Sequence, residues 1–432
     1  MTPAQRTDGD ALAPRSDLGG SRAPLAGLRA LDLTGPLGYL GGRLLADLGV
    51  EVIKVEPPGG DAGRALAPRH RDAAGREHGL FWYATNAGKL GVTLALDRPG
   101  AEAVLAALVE RVDFLLESFR PDAPEAALVA RLARARPWVV HTSVTSFGDR
   151  PPGRALHADD IVLWAMGGPM YICGDPDRPP LRLPLWQAFC HAGAEAAVGT
   201  MLAHLARART GRGQHVVVNA QAALVWTLMN AQAFPVFHGD FPRRSGQSIG
   251  SRAVRRRMIF ACADGWVSLL LLGAQGAPST RALMEWVEEH GMLPAWLREW
   301  PWERWEPGWA MQTTPAMQAE LERIEDVVAA FLVTRTKAEV YREGIRRRIL
   351  LAPVATVADI AADPQLAARE YFRPVADPAL GRPLRFPGPF ARLSATPLAP
   401  PRPAPAPGED NVRVYGRLCG LDLAALAAQG LL

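Results

Sequence analysis

Lysine is nearly missing from this 432-residue chain: Lys54, Lys89 and Lys337 stand alone while arginine supplies the rest of the basic charge. A coding bias towards arginine accounts for the scarcity, yet two of the three lysines fall inside the motifs described below. Cysteine is scarce too. Cys173, Cys190, Cys262 and Cys419 lie apart and form no CxxC pair, which argues against a zinc site or a disulfide framework. A strong charge imbalance is also absent: 48 basic against 44 acidic residues leave +4, too little to make a case for nucleic acid. No apolar run is long enough to span a bilayer, so no membrane partner is expected. The opening stretch, residues 1–23, has charges and prolines but no apolar core of a secretory signal; it reads as a disordered extension of a cytoplasmic protein. What remains is ordinary for a globular protein, with 48% hydrophobic and 21% charged residues. The length suits two domains of unequal size.

The ordered part opens on a strand, a glycine-rich turn, a helix and a strand. ALDLT (30–34) is short and apolar, residues 39–48 carry leucines at helical spacing, and VEVIKVE (50–56) is β-branched as a buried parallel strand requires. The turn Thr34-Gly35-Pro36-Leu37-Gly38 can bring backbone N–H groups and a helix N-terminus to a nucleotide phosphate, although it is not GxGxxG. The alternation continues through strands 91–96, 113–118 and 138–147 and helices 101–112 and 123–135. That pattern predicts an α/β fold with a Rossmann-like parallel sheet covered on both faces. Ligands of such sheets sit at the strand C-terminal ends, here Ser118-Phe119-Arg120 and Ser146-Phe147-Gly148.

Residues 190–232 read as helical with an interruption at 210–223, and 258–272 as two strands around an Ala-Asp-Gly turn. The stretch 276–340 is helical and rich in tryptophan (Trp286, Trp296, Trp300, Trp302, Trp305 and Trp309), more often the packing of a small helical region than a ligand surface. Residues 350–392 return to short strands, and Pro397–Pro407 is an extended strap.

LAGLRALDLT, GRLLADLGVEVIKVEPPGGD, NAGKLGVTLAL, ESFRPD, SVTSFG, TGRGQHVVV, ADPQLAAREYF and FPGPFARLSATP follow one another over residues 24–400 in an order and spacing that resemble family III CoA-transferases, a group that includes 2-methylacyl-CoA racemases. The resemblance implies a large CoA-binding domain from both chain ends (24–225 and 346–432), a smaller α+β domain (226–345) and an interlocked dimer, either of identical chains or with a paralogous subunit. It implies acyl-CoA and a carboxylic acid as substrates, with no metal. In the CoA site, the backbone of Gly35, Pro36 and Gly38 would meet the pantetheine arm and phosphates. Lys89 would offer a charge to a phosphate, and Ser118, Phe119 and Arg120 would line the nucleotide end. His157 would be a weaker, pH-dependent cation beside it.

The family reaction needs a carboxylate that attacks the donor thioester, forms an acyl-aspartyl anhydride and passes CoA to a second acid. Counting back from Gly193 and Gly199, the position of that aspartate falls on Phe189, which cannot form an anhydride. Cys190 is adjacent but reads as a buried structural thiol. Glu195 lies more than a helical turn away, and Asp160, after Asp159, matches an acidic position that orients groups rather than attacks. Two readings follow: a CoA-transferase using a displaced carboxylate, or a catalytically silent subunit paired with an active paralogue. Racemisation is disfavoured because it needs an acid/base at the same missing position. A protein for a nucleotide other than CoA is the remaining alternative.

Overall fold

The computed structural model describes residues 23–72, 74–239, 241–250, 255–305, 314–377, 380–400 and 402–432. The expected N-terminal extension therefore lies outside the described residues, Ala23 apart, as does Trp309.

The βαβ alternation builds one six-stranded sheet. Its elements are β1 (Arg29–Leu33), α1 (Tyr39–Asp47), β2 (Glu51–Glu56), α2 (Leu80–Asn86), β3 (Leu90–Thr93), α3 (Ala101–Val109), β4 (Phe114–Glu117), α4 (Pro124–Arg134), β5 (Val140–Thr145), α5 (Asp160–Met166), α6 (Gln187–Thr210), β6 (His215–Asn219) and α7 (Ala220–Trp226). Every pairing is parallel and the spatial order is β3-β2-β1-β4-β5-β6. This is the doubly wound order, in which the chain reverses direction across the sheet between β1 and β4. The expected interruption of the helical stretch at 210–223 contains HVVVN, whose β-branched run supplies the sixth strand.

Alternation along the strands divides the core between the two faces. Leu31, Leu33, Ile53, Val55 and Leu115 pack with α3 and with the C-terminal Tyr415 and Leu431. Ala30, Val52, Phe114, Leu116 and Val140 pack with α1 and α6. Edge strand β3 is not left open. Gly91 N–H donates to Asp410, Thr93 N–H to Asn411, and the Tyr415 hydroxyl to the carbonyl of Thr93. The proline strap runs alongside, where Pro403 accepts from Gly88 N–H and Pro405 from Arg64.

Among the described residues, the first compact unit takes in those up to Gly168, Leu183–Thr227 and Pro364–Leu432; the second takes in those of Pro169–Arg182 and Leu228–Asp363. The chain re-enters the first unit at Pro364 rather than at 346, because β9 (Leu351–Pro353) pairs with β8 (Gly265–Leu269). β8 pairs in turn with β7 (Ile259–Cys262) across the Ala-Asp-Gly turn. Against this antiparallel sheet lie α8 (Ala277–Glu289), α9 (Pro315–Leu332) and α10 (Lys337–Arg347). Trp286, Trp302 and Trp305 are buried in that core, and Trp296 carries the Arg323 guanidinium 4.3 Å from its ring centre. The three buried tryptophans are packing residues of this core, while Trp296 is more exposed.

Among the acids of the second unit, Glu325 is held above its ordinary range by burial. Glu325 on α9 is buried and accepts the N–H of Arg257 at 2.8 Å. Burial pushes its carboxyl from 4.5 up to about 7. Between those values the folded chain keeps a proton that the unfolded chain has released, so stability falls as pH rises from about 4.5 to 7. The stability difference between wild type and Glu325→Gln should change by about 2–3 kcal/mol across that window, wild type gaining on acidification. Urea titrations of both proteins at the two ends of the window check this.

Candidate functional site

In a doubly wound sheet the crevice opens beyond the strand C-termini where the order reverses, here beyond β1 and β4. The two turns at that point are tied together: Gly35 N–H donates to Ser118 Oγ at 2.7 Å. The first turn is shaped from beneath by Asp32, whose Oδ1 accepts from Thr34 N–H at 2.9 Å and from the Thr34 hydroxyl at 2.6 Å. Gly38 N–H closes onto the carbonyl of Gly35 at 2.9 Å. Gly35 and Pro36 are half-buried at this end of the sheet and Gly38 is buried, with the N–H groups of both glycines already bonded within the protein. A Cβ on Gly38 would stand 2.6 Å from Thr34 Cγ2, so no larger residue fits the turn.

Lys89 does not face the crevice, contrary to expectation. Its ammonium is buried and donates to Asp32 Oδ2 at 2.7 Å, Asn86 Oδ1 at 2.7 Å and the carbonyl of Tyr39 at 2.9 Å. An ammonium has three donors, so none remains for a phosphate. Lys54 is buried as well, donating to the carbonyl of Thr34 and lying 3.7 Å from Asp61. Burial by itself would raise the Asp32 carboxyl, but the two ammoniums and the hydrogen bonds from Lys89 and Thr34 hold it below its usual value. The loop after β2 is anchored in the same way. Arg64 grips Glu56 through two bonds of 2.6 and 2.7 Å and lies over the Trp82 ring at 4.1 Å. Asp32, Asn86, Glu56 and Arg64 carry the turn and were missed in the sequence; the one signal for them was the persistence of lysine at 54 and 89.

The second turn is more open. Phe119 N–H donates to Glu117 at 2.7 Å, and its ring packs at the margin of the core. Arg120 is exposed and paired through two 3.1 Å bonds with Asp122, a surface pair that solvent weakens. His157 is exposed just before α5.

The start of α6 carries residue 189, the expected place of the attacking carboxylate. Phe189 is buried, and its ring stacks on Trp186 with centres 5.7 Å apart and planes 6° from parallel. Trp186 leans on Phe81 at 5.8 Å and donates its indole N–H to the carbonyl of Ala67 at 2.7 Å. Residue 189 thus lies in an aromatic cluster. Asp160 is also buried, and its Oδ1 accepts the N–H of Phe189 at 3.2 Å, so it fixes the first turn of α6 to the first turn of α5. Burial, reinforced by the charge of Asp160, pushes the Cys190 thiol up, away from the thiolate a nucleophile requires. Glu195 is exposed further along α6, and Asp159 is exposed at the N-terminal end of α5.

Strand order and turns together define a doubly wound α/β protein. The chain belongs to CoA-transferase family III, whose signature matches residues 25–411. It is 32% identical over 365 residues to succinyl-CoA:(R)-benzylsuccinate CoA-transferase subunit BbsE of Thauera aromatica, covering 83% of this chain and 86% of that one. It is 31% identical over 414 residues to succinyl-CoA–D-citramalate CoA-transferase of Chloroflexus aurantiacus, covering 94% and 97%. A CaiB/BaiF family protein from Brucella suis has a similar fold, with a TM-score of 0.73 at 24% identity over 92% of this chain and 99% of its own. Membership places the protein in the exchange of CoA between carboxylic acids, with CoA thioesters as substrates. Among the described residues no helix is long and apolar enough to cross a membrane.

Proposed function

We propose that this chain is the non-nucleophilic subunit of a two-component CoA-transferase. It holds CoA at the crevice between the β1 and β4 turns, and a related second chain supplies the carboxylate that takes the acyl group. The Phe189–Trp186 stack carries this reading. A buried ring at the attacking position can neither bond to an acyl carbon nor leave room for another side chain to do so. Asp160 is engaged with the helix start and Cys190 stays a thiol, so neither neighbour substitutes. That the Thauera aromatica relative is itself named a subunit supports the same view. In this arrangement the backbone of Gly35, Pro36 and Gly38 meets the pantetheine and phosphates. Ser118, Phe119, Arg120 and His157 line the nucleotide end, and Arg120 exchanges Asp122 for a phosphate.

The purified protein, incubated with succinyl-CoA and then hydroxylamine, should bind CoA yet yield no hydroxamate on any of its own carboxyls by mass spectrometry. Co-expression with a paralogue that keeps the aspartate should give the label on the paralogue. The competing reading is a lone enzyme using Asp160, favoured by the nearness of that carboxylate to residue 189. A hydroxamate at Asp160 of the isolated chain would establish that reading and end this one.

A further inference from the structure

We infer that the first unit carries a second binding site, away from the switch-point crevice, for a compact organic oxyanion bearing two or more negative charges. At the C-terminal end of α1, an open cavity of about 220 Å³ is lined by Arg43 and Asp47 of α1, Arg373 and the loop 387–399. Arg373 stands on β10 (Phe372–Asp377), which pairs with β11 (Arg382–Pro387), and the loop after β11 adds Arg392. Three guanidiniums therefore share a space that holds one carboxylate. That carboxylate is already taken, since Arg43 Nε meets Asp47 Oδ1 at 2.8 Å. Among the described residues Arg373 and Arg392 have no ion-pair partner, so the cavity carries a surplus of two positive charges. Like charges gathered in a small volume repel, and the arrangement calls for an anion.

The walls say more about that anion. Arg43 is buried and fixed, with Nη1 donating to the carbonyl of Ala84 at 3.2 Å and its guanidinium 5.8 Å from the Phe386 ring centre. Pro387, Pro389 and Pro397 stiffen the facing loop, and Ala399 N–H donates to the carbonyl of Asp47 at 2.8 Å. The site is thus formed before any ligand arrives, and ordering it costs little. Guanidiniums recognise carboxylates and phosphates through paired hydrogen bonds, while proline and leucine side chains between them suit a short carbon skeleton. A di- or tricarboxylate satisfies both, and bare phosphate satisfies the charge alone. The nine-residue helix α1 separates this cavity from the glycine turn, so occupancy here leaves the crevice free.

Calorimetric titration of the full chain with citrate, succinate and inorganic phosphate at low chloride tests the site. Citrate should bind saturably, one per chain, and more tightly than phosphate. Arg373→Gln and Arg392→Gln should each weaken citrate about tenfold, the loss of one charge-assisted contact. Both side chains are exposed, so the variants should melt with wild type when no ligand is present, and citrate should raise the melting temperature of wild type alone. Three outcomes would overturn the inference: no saturable binding, citrate binding unchanged in the double variant, or phosphate binding as tightly as citrate.

Discussion

Lys89→Met should destabilise the first unit by about 3–5 kcal/mol, the usual result of removing one partner from a buried ion pair. The substitution leaves the Asp32 carboxylate sealed beneath the glycine turn with Lys54 as its nearest cation. It also leaves the Tyr39 carbonyl and Asn86 Oδ1 without the donor that satisfied them. Gly42 makes repacking difficult. A Cβ there would stand 2.2 Å from Asp32 Oδ2 and 2.9 Å from Lys89 Nζ, so the pair sits in a seat cut to its atoms. Replacing both partners, as in Asp32→Leu with Lys89→Met, should recover much of the loss, because no isolated charge then remains buried. Urea unfolding followed by circular dichroism reads the first-unit transition. The same variants decide what Lys89 is for. A lysine that reached a CoA phosphate would lose CoA affinity on substitution and leave the unfolding midpoint where it was. The geometry requires the midpoint to move first.

The fold was legible because its signals are local and repeated. The alternation of β-branched strands with helices of about a dozen residues leaves few topologies once crossovers must be right-handed. The strand order could not be read from these segments, since nothing within VEVIKVE states which strand lies beside it. That order is nonetheless what locates the crevice, because the reversal between β1 and β4 puts Gly35 next to Ser118 across 83 positions of sequence. The seat of Lys89 is hidden in the sequence for a related reason. NAGK gives a lysine after a helix, and only the packed structure reveals Asp32 beneath it. The scarcity of lysine held the clue. A compact ammonium with three donors fits a buried three-acceptor seat that the planar fork of arginine cannot fill, so Lys54 and Lys89 persist where the chain otherwise uses arginine. The exchange of an expected carboxylate for Phe189 was visible in the sequence. What the ring does there, stacking on Trp186 while Asp160 holds its N–H, was not.

Phe189→Asp, which returns the missing group, should give neither turnover nor a trappable anhydride and should cost several kcal/mol of stability. Removing a buried phenyl ring costs about 3–5 kcal/mol through lost burial and the space left behind. Here it also strips Trp186 of its stacking partner. The new carboxyl would enter a site closed to water, with Asp160 bound to the N–H of the same residue. Burial and the neighbouring negative charge both favour its neutral form, so at neutral pH it would hold a proton and make a poor nucleophile. Phe189→Leu also loses the stack on Trp186 but keeps an apolar side chain filling most of the space, so it should cost less than the roughly 3–5 kcal/mol of full truncation. In the two-subunit assembly the leucine variant should support CoA transfer at close to the wild-type rate, whereas Phe189→Asp should lower it by loosening the start of α6. Steady-state rates of the co-expressed pair, read alongside melting temperatures, separate these outcomes. An isolated Phe189→Asp chain that formed a hydroxylamine-sensitive anhydride would mean that the crevice keeps everything else the reaction needs. The aromatic cluster would then be a plug over an intact site, and the loss of one carboxylate would be the whole difference between this chain and a self-sufficient transferase.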